Sequence, residues 1–108
     1  MRNRYKLPLH IKNYVKKELY DYKKNKNKLE DIDQGTSTRT ILIALQRMQQ
    51  IEKVLKRLSK EDKKMVEKIF FEKKSQIYME TQYYITKDMY YNTMNKILYL
   101  VAEEFELI

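Results

Sequence analysis

One glycine and one proline, Gly35 and Pro8, stand in a chain of 108 residues. A chain so poor in turn residues is unsuited to short strands joined by tight turns. Lys, Glu, Leu, Met and Gln recur, and all favour helix. Tyr and Ile are also frequent, but they recur at three and four, not at two. The expected fold is all-α: a small helical domain of about five helices with a C-terminal helix-turn-helix. The length suits one core, burying roughly two thirds of the unfolded surface.

Composition also narrows the chemistry. There is no Cys, and His10 is the only His. Disulfides, thiol catalysis and zinc fingers are therefore excluded, and most metal and acid–base schemes lose their ligands. No glycine-rich phosphate loop or paired-carboxylate signature is present, so the expectation is a non-enzyme without cofactor. Net charge is +8, and it is unevenly placed. Residues 1–28 hold ten Lys or Arg against two acidic residues, whereas the remainder balances at 13 and 13. An ordinary solvated lysine face would explain this charge, and so would an anionic partner. No apolar run approaches the ~20 residues of a membrane span, and no signal-peptide core follows Met1. The expected location is the cytoplasm, with no membrane partner.

Taken in order, Leu7-Pro8-Leu9 signals a helix entry. Ile11, Val15, Leu19 and Tyr22 then give an amphipathic helix of about 14 residues. Its polar face carries Lys12, Lys16 and Lys17. Lys23 to Lys28 has no apolar period and reads as a frayed end or the start of a linker. Gly35-Thr-Ser-Thr38 is the clearest break, with an N-cap expected among Thr36, Ser37 and Thr38. This divides the chain into a basic helix and linker, 1–35, and a helical domain, 36–108. Ile41, Ala44, Leu45, Met48, Ile51, Leu55 and Leu58 mark a helix of about 18–20 residues, with Arg47, Gln50, Lys53 and Arg57 outside. Ser59-x-x-Asp62 restarts the chain as a new helix, with Met65, Val66, Ile69 and Phe70 buried. Ser75 caps a short helix whose candidates for burial are Ile77, Met79 and Tyr83. Thr86 caps the last helix, with Ile85 as a hydrophobic staple on Tyr90.

Along that last helix Tyr90, Met94, Ile97, Val101 and Phe105 form one stripe, beside Leu98 and Leu107. Lys87, Asp88, Tyr91, Asn92, Asn95 and Lys96 fall on or near the opposite face, within the first three turns. This is where a recognition helix presents side chains to base edges. Asn suits adenine, and Lys suits guanine or phosphate. Lys12, Lys16, Lys23 and Lys24 are candidates for phosphate contact. Glu103, Glu104 and Glu106 lie at the far end.

The order Leu58-Ser59-x-x-Asp62, Ser75-x-Ile77, Ile85-Thr86, Tyr90, Met94 and Ile97-Leu98 resembles the fourth conserved region of bacterial sigma factors. Among small proteins carrying that pattern, the chain looks most like phage transcriptional regulators of the RinA and ArpU type. Those resemble it in plan: a basic N-terminal helix with a tyrosine-containing segment (here Glu18-Leu-Tyr-Asp-Tyr22), a linker, a long helix, then the sigma-like module over residues 58–105. Two positions depart from the pattern. The usual small residue of the first motif helix falls at Glu80, and the usual turn glycine falls at Tyr84.

The resemblance implies a sequence-specific transcriptional regulator that binds double-stranded DNA; RNA polymerase stands beside DNA as a second candidate partner. A single small module buries little surface, which favours a homodimer on two half-sites, the Thr40–Leu58 helix being its candidate seam. Two other readings stand beside it. One is a phage DNA-packaging subunit acting as a ring. The other is a helical adaptor for RNA polymerase or another protein, with Tyr78, Tyr83, Tyr84, Tyr91 and Tyr99 as anchors.

Overall fold

The last helix organises the core. A computed structural model describes residues 5–30 and 38–108. Its elements are α1 (Leu9–Glu30), α2 (Thr38–Arg57), α3 (Lys60–Val66) running into a π-helical turn (Glu67–Phe71), α4 (Gln76–Tyr83) and α5 (Lys87–Glu104). No strand occurs among the described residues, and no described helix is long and apolar enough to cross a membrane. Within α5, Tyr90, Met94, Ile97, Leu98, Val101 and Ala102 are buried, and Phe105 closes the stripe. Against them pack Val15, Leu19 and Tyr22 of α1, Ile51 and Val54 of α2, Val66, Ile69 and Phe70, and Met79 of α4. Each such side chain stabilises the fold by about 1.5–3 kcal/mol. The basic N-terminal helix thus shares one core with α5.

Local capping explains the helix starts. Ser59, Ser75 and Thr86 each accept a backbone N–H three residues on, from Asp62, Tyr78 and Met89, at 3.1 Å. After α3 the backbone widens, and Glu72 N–H donates to the Glu67 carbonyl five residues back at 2.8 Å. This π turn directs both Ile69 and Phe70 into the core. Phe71 is left to stack on Tyr22, with ring centroids 4.8 Å apart.

Tyr84 ends α4 in the left-handed region, with φ 53° and ψ 37°. A non-glycine residue there costs about 1–2 kcal/mol. The ring is 92% exposed and gives little packing in return. Tyr84→Gly removes the strain, at the cost of roughly 0.5–1 kcal/mol of extra chain entropy. The expected net gain is roughly 0.5–1 kcal/mol, read by thermal melting; a lower melting point would show that the ring is held. Glu80, the other departure from the motif, is half-buried and accepts a hydrogen bond from Gln76 Nε2 at 3.3 Å.

Several expectations change. Helix α1 runs 22 residues, through Lys23–Lys28, instead of stopping near Tyr22. Ile77, expected to be buried, is 75% exposed, because Met79 takes the inner face of α4. Val54 and Ala102 join the core unannounced. Arg47, Gln50, Lys53 and Arg57 do not face open solvent alone; they meet the end of α5. Arg47 lies 4.4 Å from the Phe105 ring centroid, Gln50 donates to the Glu104 carbonyl, and Lys53 and Arg57 each reach the Glu104 carboxylate at 3.4 Å. Of the expected cap residues, Thr36 and Ser37 lie outside the described residues, and Thr38 is already helical.

Two α1 side chains feel this packing. Burial pushes the Tyr22 hydroxyl up to about 12, with the Glu52 carboxylate adding to it. Burial also raises the Glu18 carboxyl, against the pull of Arg47. Since its folded value lies above the unfolded one, the contribution of Glu18 to stability is fully present below the unfolded pKa and is lost as pH rises through the folded one. Glu18→Gln is therefore expected to raise the melting temperature at pH 7 by about 1–2 °C and to change nothing at pH 4. A lower melting temperature at pH 7 would mean that Arg47 outweighs burial.

Candidate nucleic-acid interface

Helices α4 and α5 meet through the short Tyr84–Thr86 turn, and the start of α5 stands clear of the core. Lys87, Asp88 and Asn92 are exposed. Asp88 lies in the first turn, where an anion suits the helix dipole. Tyr91 is 40% exposed, and its ring packs edge-on against buried Tyr90 at 5.4 Å between centroids. Its hydroxyl donates to Gln76 Oε1 at 2.9 Å, which holds the N-terminus of α4 beside the exposed face of α5.

The other two members of the expected base-reading set are differently placed. Lys96 is not free: its Nζ lies 2.8 Å from Asp62 Oδ2, and this hydrogen bond raises its pKa. The same carboxylate was expected only to complete the Ser59 cap. Asn95 is half-buried in a cleft of about 190 Å³ that it shares with Tyr5, Lys6, Leu7 and Lys12. Tyr5 also packs edge-on against Tyr99, with centroids 5.4 Å apart. The segment before α1 therefore crosses α5 from its third turn onward. The open part of the face comprises Lys87, Asp88, Tyr91 and Asn92.

The lysines of α1 flank this face. Lys12 lies across the cleft from Asn95. Lys16 follows one turn on, and burial first, then the charge of Lys12, lowers its pKa. Tyr20, another turn along, lines a hollow with Ile69, Lys73 and Lys74. Lys23 is exposed, its Nζ 5.9 Å from the Phe71 ring centroid. Lys24 is exposed too, turned about 100° further round the helix. Lys12, Lys16, Tyr20 and Lys23 thus form one flank of α1, running from Asn95 to the loop before α4.

Sequence reading missed Lys73, Lys74 and Gln76 as part of this surface. Lys73 and Lys74 stand directly before the Ser75 cap of α4. That adjacency was the available signal: basic residues ahead of a helix N-terminus attract anions. Glu104, at the opposite end of α5, is neutralised by Lys53 and Arg57. No known protein family, curated protein or solved structure matches the chain.

Proposed function

We propose that this chain is a sequence-specific DNA-binding transcriptional regulator. In this reading α4 and α5 act as a helix-turn-helix similar to that of sigma-like phage regulators of the RinA and ArpU type. The observation that carries the proposal is convergence. Lys12 meets Asn95, Tyr20 meets Lys73 and Lys74, and Gln76 meets Tyr91. Cations from two separate stretches, α1 and the loop before α4, therefore lie beside α5 and the N-terminus of α4, and Lys87 adds a third at the exposed start of α5 itself. Lys87, Tyr91 and Asn92 would face base edges, while Lys12, Lys16, Lys23, Lys73 and Lys74 would face phosphates. Lys96 would act indirectly, tying α5 to α3 through Asp62.

Two copies on adjacent half-sites fit this reading. The first half of α2 leaves Leu42 and Ile43 more than half exposed, a seam available to a second copy. A protein-binding adaptor is the alternative, and a specific observation favours it: Ile77, Tyr84 and Met89 are 75%, 92% and 52% exposed around the α4–α5 turn. Duplex affinity measured against salt separates the two. A DNA reader loses affinity steeply as salt rises, whereas an adaptor shows no salt-sensitive duplex binding.

A further inference from the structure

Tyr91 does not stand alone on the exposed face. Its hydroxyl proton is given to Gln76 Oε1 at 2.9 Å. The Gln76 amide is held from its other end, since Nε2 donates to Glu80 Oε2 at 3.3 Å. A carboxylate accepts only, so Glu80 fixes which way the Gln76 amide points. The Gln76 oxygen must then face Tyr91, and the phenol must donate to it. Buried Tyr90 braces the Tyr91 ring edge-on from behind.

We infer that the Glu80–Gln76 pair makes the Tyr91 hydroxyl an acceptor-only reader, selecting a base that offers an exocyclic amine in the major groove. This rests on the DNA-binding reading above. A phenol is ordinarily both donor and acceptor and would tolerate any base edge. With its proton committed, the remaining lone pairs can meet only a donor. In the major groove those donors are adenine N6 and cytosine N4. Guanine and thymine present oxygen acceptors, which the hydroxyl oxygen repels. Gln76 and Glu80 are positioning residues, and Tyr91 is the residue that touches the base. Glu80, which stands where the resembling motif carries a small side chain, gains a role from this geometry.

Selection from a library of duplexes randomised over 20 base pairs tests the inference on the full-length chain. The wild type is expected to enrich sequences with one position restricted to adenine or cytosine. Tyr91→Phe should relax that position by roughly tenfold and leave the preference at the other positions unchanged. Gln76→Met frees the phenol proton, so guanine and thymine should become accepted at the same position. Glu80→Ala should relax it partly. A change of preference at one position, at constant affinity for the rest, is something a merely structural role would not produce. Unchanged preference in Tyr91→Phe or Gln76→Met would overturn the inference alone. A wild type that enriches no sequence would overturn the DNA-binding reading and this inference with it.

Discussion

Phe70→Ala is expected to remove about 3–5 kcal/mol of folding stability, the usual cost of emptying a fully buried phenylalanine site. Phe70 has no exposed surface, and its ring lies 5.3 Å from that of Tyr20. It is brought inward by the π turn that also places Ile69 in the core. The space left behind cannot be refilled by Phe71, which is committed to stacking on Tyr22. A domain of this size is stable by only ~5–15 kcal/mol, so the variant would lose a large share of it. Phe71→Ala, at a half-buried position, should cost distinctly less. Chemical denaturation of the two variants side by side gives the comparison. Equal losses, or a loss below ~1 kcal/mol for Phe70→Ala, would mean that the wide turn does not orient these rings as described.

That contrast marks where the sequence was legible. The helical fold, the three caps and the α5 stripe apart from Ala102 were readable because each depends on neighbours three or four residues away. Ser59, Ser75 and Thr86 carry oxygens that reach a backbone N–H without help from the rest of the fold. Helix α1 was cut short for a different reason. Lys23–Lys28 buries little, but Lys is a fair helix former, and extending a helix costs far less than starting one. Once Val15, Leu19 and Tyr22 are anchored, the lysine run continues the helix. Ile77 was misplaced because an eight-residue helix offers too few positions to define a face.

The candidate site was legible only in outline. The open start of α5 followed from the caps and the stripe. What modifies it is non-local. Lys96 meets Asp62 across 34 residues of chain, and Tyr91 meets Gln76 across 15. The cleft that half-covers Asn95 is built from residues 5–12. No spacing rule links these pairs; they meet because α1, α3 and α4 all pack on α5. Periodicity places a residue on a face, and tertiary packing decides whether that face is open.

Lys12→Ala combined with Lys16→Ala is expected to weaken duplex binding by roughly a hundredfold at 50 mM salt and to reduce the salt slope by about 2. The loss should be uniform across sequences, because phosphate contacts carry no base information. Asn92→Ala should do the reverse, keeping the slope and relaxing one base position. The pair also carries a pH signature. Burial and the nearby charge of Lys12 hold the Lys16 pKa below its ordinary value in the free protein. A phosphate beside Lys16 would raise it again, so the complex binds more protons than the separate partners. Affinity must then fall as pH rises through the window that begins at the lowered Lys16 value. Lys16→Arg keeps the charge at every accessible pH and should abolish that fall while preserving the salt slope. Titrations of duplex binding at stepped pH values from 7 upward, for the wild type and Lys16→Arg, provide the measurement. A slope unchanged by the double alanine variant would remove α1 from the interface and leave its lysines as a solvated face.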